Sequence, residues 1–102
     1  MICVIATIET APGRRDDLLA VLHGLVPKVR AETGCIEYGP MIDVPNGLTA
    51  PNAVRDNVVT MVEKWQSLAA LEAHLKTPHM ADFRRQTEPL GLSLSLQILQ
   101  PA

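Results

Sequence analysis

Apolar residues in this chain fall into four extended runs separated by helical stretches and one long loop. Residues 1–9, MICVIATIE, put Ile2, Val4, Ala6 and Ile8 on one alternating set and Cys3 and Ile5 on the other, so the strand is apolar on both faces. After the break at TAPG, Leu18, Leu22, Leu25 and Val29 recur at helical spacing from Arg14 to about Thr33, with Leu19 and Val26 beside them. Arg15, Asp16, His23 and Arg30 take the opposite side. Pro27 removes a backbone donor inside this helix and predicts a kink, and Gly34 is placed to end it as a left-handed cap. Residues 35–43, CIEYGPMID, read as a second strand, and residues 57–65, NVVTMVEKW, as a third. Between them, residues 44–56 are rich in Pro, Asn and Gly and form the longest loop, a candidate lid. Ser67 caps a short helix bearing Leu68, Leu71 and Leu75, and Thr77-Pro78 restarts it, with Thr77 as N-cap and Pro78 at the first helical position. Residues 92–99 close as a strand with Leu92, Leu94, Leu96 and Ile98 on one face.

The order β-α-β-β-α-β predicts an α+β, ferredoxin-like fold: a four-stranded antiparallel sheet with its helices on one face. The other face is left bare. Val58 and Val62 oppose Val59 and Met61 on the third strand, so both faces read as apolar, and an exposed apolar face of that size calls for a partner. A symmetric homodimer, sheet against sheet, is the simplest one.

Composition narrows the function classes. With 102 residues the chain is a single domain, 1–102, and its 47% apolar and 20% charged residues are those of a folded protein. A net charge of −2, with Arg14-Arg15 and Arg84-Arg85 the only basic doublets, gives no footing for a nucleic-acid partner. No apolar run reaches the roughly 18 residues of a membrane span, and the N-terminus reads as a strand rather than a signal peptide. Cys3 and Cys35 fit neither a disulfide framework nor a CxxC pair, and read as reduced, half-buried strand residues of a cytoplasmic protein.

ETGCIEY at 32–38, VEKW at 62–65 and HLKTPHMADF at 74–83, preceded by SLAALEA, resemble the antibiotic biosynthesis monooxygenase (ABM) family, in particular its quinol-monooxygenase-like members. The resemblance covers nearly the whole chain apart from the 44–56 loop. It implies a dimeric α+β barrel in which two sheets pack together and each subunit keeps an apolar pocket between its sheet and helices. It also implies oxidation of a quinol or polycyclic phenol by O2 without flavin, haem or metal, so no cofactor is expected. The family also includes haem degraders, an isomerase and proteins of no assigned activity. Haem degraders place an asparagine on the first strand where this chain has Thr7, and three aromatic residues furnish a haem-sized pocket poorly.

Such chemistry needs a base that titrates near neutrality, an apolar cavity and donors for the resulting oxyanion. His74 and His79 are the candidate bases, with a hydrogen-bonded structural role as the alternative for each. On one continuous helix, residues five apart would lie roughly 140° apart around the axis. The break at Thr77-Pro78 resets the direction and can turn both imidazoles toward one cavity. His79, at a helix start, is the favoured base. A metal site is not expected, because the two histidines lack i, i+4 pairing and no carboxylate stands at ligand spacing. Candidate substrate-binding residues are Trp65, Tyr38, Phe83 and Asn57. Trp65 could cap the pocket or pack at the strand-to-helix turn; Tyr38, on one strand face with Ile36 and Ile42, could donate to a substrate oxygen or pack at the dimer interface. Glu63 reads as half of a cross-subunit pair, and Arg84 and Arg85 as solvated. The alternative functions are an isomerase or tautomerase using the same base, and a non-catalytic dimer that binds a small apolar ligand.

Overall fold

Strands β1 (Ile2–Glu9), β2 (Cys35–Met41), β3 (Val58–Trp65) and β4 (Ser93–Leu99) form one antiparallel sheet in the order β2-β3-β1-β4. The computed structural model describes residues 1–51 and 53–102. Helices α1 (Arg15–Arg30), α2 (Leu68–Leu75) and α3 (Pro78–Thr87) lie on one face, and a single 3₁₀ turn, Glu88–Leu90, leads into β4. This is the expected α+β, ferredoxin-like arrangement. It arises because the even positions of β1 and, Glu63 apart, the odd positions of β3 are apolar and share one face: Val4, Ala6, Ile8, Val59, Met61 and Trp65 are all buried there. Leu18, Leu22, Leu25, Val26 and Val29 of α1 close over them.

The opposite face is less apolar than the sequence suggested. Ile5, Val62, Met41 and Leu99 lie on it, but so do Thr7, Thr60, Ser95 and Gln97 and the Glu37–Lys64 ion pair at 3.0 Å. Thr7 therefore lies on the far side of the sheet from the helices. The helices cover β2, β3 and β1 but leave the edge strand β4 uncovered, and every residue of β4 is exposed. Leu94, Leu96 and Ile98, which share the helix-side face with Ile8, Ala6 and Val4, thus line an open trough.

Three local readings change. Helix α1 ends at Arg30, before Thr33, and contains Pro27 within its last turn. Gly34 does not cap it; its φ of +87° turns the chain into β2 instead. A side chain at Gly34 would meet Ala70 of α2 with its Cβ at 2.6 Å, so glycine here lets the turn that carries Glu32 press against α2. In β2 a bulge between Cys35 and Glu37 inverts the alternation. Cys35 and Tyr38 both face the helices while Ile36 is 53% exposed, so Tyr38 does not share a face with Ile36.

The helix starts follow the sequence. Ser67 accepts from the Ala70 backbone N–H at 3.1 Å, and Thr77 precedes Pro78 at the first position of α3. The Thr77 hydroxyl does not cap α3; it donates back to the His74 carbonyl at 2.8 Å and ties the joint between the two histidine-bearing helices. In the loop after β2, Arg55 grips Asp43 at 2.7 and 2.8 Å, closing the loop's base and holding the Asp43 carboxyl down to about 2.

Candidate active site

Helix α2 has only two turns, and its buried side is Leu71 and His74. Because His74 follows Leu71 by three, its ring enters the core from the helix's last turn, where it is 1% exposed. There it lies against the Trp65 ring at a centroid distance of 4.6 Å and meets Tyr38 edge-on at 5.6 Å. Its Nδ1 is 2.9 Å from Oε2 of Glu32, in the turn after α1. His79, in the first turn of α3, places Nε2 2.7 Å from the same oxygen. An ionised carboxylate oxygen only accepts, so in a hydrogen bond to it the imidazole nitrogen is the donor.

Both imidazoles thus converge, but on a carboxylate rather than on one cavity. The cavity meets His74 and not His79. It has a volume of about 140 Å³ and lies between the sheet and helices α2 and α3, with Leu71, Met80 and Phe83 on the helix side and Leu94, Leu96 and Ile98 at its open edge. His74, Tyr38 and Glu63 supply polar groups to the wall, and Arg84, bound through Nη2 to the Leu75 carbonyl at 2.8 Å, reaches it too rather than being merely solvated. His79 is absent from that wall. It lines a separate groove between α1 and α3 with Lys28, Asp82 and Gln86, and Phe83 stands between the two.

Of the residues expected to meet a substrate, Tyr38 and Phe83 line the cavity and Trp65 and Asn57 do not. Trp65 is fully buried behind His74. Asn57 sits at the start of β3, where its carbonyl accepts from Thr10 N–H at 2.8 Å and its side chain from Gly13 N–H at 3.0 Å. Among the described residues, none of the 44–56 loop lines the cavity either.

Burial sets the electrostatics. The Tyr38 phenol is pushed far above its ordinary range, first by burial and then by the Glu63 and Glu32 carboxylates, so it remains a protonated donor. Glu63 is not a cross-subunit pair: its parity with Met61 and Trp65 points it under the helices, where it accepts from Trp65 Nε1 at 3.0 Å. Burial raises its carboxyl, with the indole hydrogen bond and His74 opposing. Because the folded value lies above the unfolded one, the stability linked to the neutral acid is complete below the ordinary carboxylate range and is lost as pH rises through the raised value. Glu63→Gln keeps an oxygen for the indole and removes the charge. Its melting temperature should gain on the parent's as pH rises above the ordinary carboxylate range, and the gain should level off once the raised value is passed; a difference independent of pH would contradict this assignment.

Glu32 is the residue that the sequence did not single out. It stands 42 positions from His74 and 47 from His79, so no local spacing reveals it, although it opens the ETGCIEY stretch. Glu32, His74 and His79 are also the donor set that a metal ion could use, with one ligand atom each within 4.8 Å of the others. Sequence spacing missed that carboxylate because it arrives from a different element. The 2.7 and 2.9 Å separations are, however, those of N–H···O hydrogen bonds. Donors to a tetrahedral zinc would lie roughly 3.4 Å apart.

Comparison with known proteins agrees with this architecture. Residues 1–86 match the family model described as antibiotic biosynthesis monooxygenase. The chain is 41% identical to the Escherichia coli K12 protein named "Probable quinol monooxygenase YgiN", over 99% of this chain and 98% of that one. Its fold is similar to the crystal structure of PA3566 from Pseudomonas aeruginosa, with TM-score 0.82, 33% identity and coverage of 99% and 93% of the two chains. It is likewise similar to Rv0793 from Mycobacterium tuberculosis, with TM-score 0.80, 25% identity and coverage of 99% and 94%. With most of its length matched by the family model and a full-length relative above 40% identity, the chain belongs to the antibiotic biosynthesis monooxygenase family.

Proposed function

We propose that the protein is a cofactor-independent monooxygenase that oxidises a quinol or polycyclic phenol with O2 in the cavity beside His74. The observation that carries this reading is that, among the described residues, one imidazole borders a largely apolar pocket and has its Nδ1 held by a carboxylate. A phenol is a poor reductant, and its anion a good one. His74 Nε2 takes the phenolic proton, the electron-rich anion passes an electron to O2, and recombination forms the new C–O bond. For a naphthoquinol the ring gains one oxygen atom, and the other leaves as water with the two hydrogens the ring gives up. Tyr38, kept protonated, donates to the developing oxyanion.

The size of the cavity limits the substrate. A dry cavity of roughly 150 Å³ in another protein takes up one benzene, so about 140 Å³ accommodates one ring of a fused system. The second ring would lie along Leu94, Leu96 and Ile98, which are 61%, 47% and 51% exposed. The name of the Escherichia coli relative, "Probable quinol monooxygenase YgiN", favours the same substrate class.

The chain acts as a homodimer in this proposal, with the helix-free sheet faces of two copies packed together. Ile5 and Val62 lie centrally on that face. Val62→Asp should give monomer or aggregate in size-exclusion chromatography; an unchanged dimer peak would move the interface elsewhere. Activity is tested in an oxygen electrode with metal-stripped protein and a reduced naphthoquinol, after subtraction of the uncatalysed rate. Protein-dependent uptake supports the oxygenase. Turnover of a phenol tautomer under nitrogen, without uptake, would replace it with an isomerase using the same base.

A further inference from the structure

We propose that Glu32 is a positioning residue that fixes His74 in the tautomer protonated at Nδ1, and that His79 secures Glu32 rather than meeting the substrate. This deepens the reading of the cavity and rests on His74 as its base. Three separate elements supply the group: the turn after α1, the last turn of α2 and the first turn of α3. Glu32 Oε2 lies 2.9 Å from His74 Nδ1 and 2.7 Å from His79 Nε2.

His74 is packed between Trp65 and Tyr38, so its ring cannot turn over to exchange its nitrogens without displacing one of them. What remains undetermined by packing is which nitrogen holds the hydrogen. Only the nitrogen without it can take a proton from a substrate. A neutral histidine left to itself favours hydrogen on Nε2, which would present a donor where a base is needed. The Glu32 carboxylate reverses that preference, because it accepts and never donates while ionised. His79 faces the α1–α3 groove, not the cavity, and its Nε2–H holds the same carboxylate oxygen from the other side. Gly34 keeps the Glu32 turn against α2, and the Thr77 hydroxyl on the His74 carbonyl keeps α2 and α3 in register.

Glu32→Gln replaces one acceptor oxygen with an amide that can donate. With the amide N–H turned to His74 Nδ1, the ring is driven to the Nε2–H form and the base is blocked. The test is ¹⁵N NMR of histidine-labelled protein at pH 8, read beside steady-state oxidation of a naphthoquinol. In the parent protein His74 should show a protonated Nδ1 and a bare Nε2, and His79 the reverse. In Glu32→Gln the His74 signals should exchange types, and kcat should fall by on the order of 10²–10⁴-fold with KM changed little. Glu32→Asp retains the carboxylate and should restore the parent tautomer with part of the rate, whether or not the glutamine variant folds well. His79→Ala loosens Glu32 and should cost about tenfold.

A His74 already protonated at Nε2 in the parent, or unchanged tautomers in Glu32→Gln, overturns the proposal. So does stoichiometric uptake of added zinc that shifts both imidazoles, since the three residues would then be a metal site. If no quinol is oxidised, the oxygenase reading fails while the NMR comparison still decides the tautomer.

Discussion

Quinol-dependent oxygen uptake by the His74→Ala protein is expected to fall by about 10²–10⁴-fold per folded molecule, the worth of a positioned general base. The substitution leaves an imidazole-sized hole against Trp65 and Tyr38, beside a Glu32 carboxylate that still has His79 as donor. Free imidazole in the assay should therefore enter the hole and restore part of the rate. That recovery separates the two accounts of a residue that is also 1% exposed and part of the core. A purely structural histidine would lower stability, and imidazole would not restore the rate per folded molecule. Rates are to be normalised by the folded fraction from circular dichroism. Unchanged uptake per folded molecule would remove His74 from the chemistry.

Trp65→Ala should be the most destabilising single change in the chain. The ring is fully buried under α1 and α2, and truncating a buried tryptophan costs about 3–5 kcal/mol. The same change removes the N–H that binds Glu63 at 3.0 Å and leaves a buried carboxyl without its donor, adding about 1–3 kcal/mol. In a domain of this length each kcal/mol lowers the melting temperature by roughly 4–8 °C. Thermal melting should therefore drop by at least about 12 °C, or the protein should fail to fold. Trp65→Phe keeps a ring against His74 and loses the donor and part of the indole's volume, so its loss should be clearly smaller. A melting temperature for Trp65→Ala close to that of the parent would show that this packing does not hold the domain together.

The fold was readable from the sequence because its signals are local and mutually consistent. Alternation in β1 and β3, the helical spacing of Leu18, Leu22, Leu25 and Val29, and the Ser67 and Thr77-Pro78 starts each report on neighbours a few residues away. What was not readable depends on geometry that periodicity does not encode. The β2 bulge adds one residue to the strand, so Tyr38 and Ile36 part company despite matching parity. Gly34 looked like a helix cap but relieves a contact with Ala70, which lies 36 residues further along. The site shows the same division. Both histidines were identifiable from residue type and from the break between them. Glu32 was not, because the turn after α1 meets α2 and α3 only once the sheet has formed. The two histidines part for the same reason: His79 looked suitable at a helix start, yet α3 turns it into the α1–α3 groove while α2 turns His74 onto the cavity.

In the proposed reaction O2 itself supplies the oxygen atom added to a substrate held beside His74. Oxidising a reduced naphthoquinol under ¹⁸O2 with metal-stripped protein, and weighing the product, tests it directly. The account predicts a hydroxynaphthoquinone carrying one ¹⁸O, formed in proportion to protein, with the second ¹⁸O in water. An unlabelled quinone accompanied by labelled hydrogen peroxide would instead describe an oxidase, and product formed at the uncatalysed rate would contradict the account altogether.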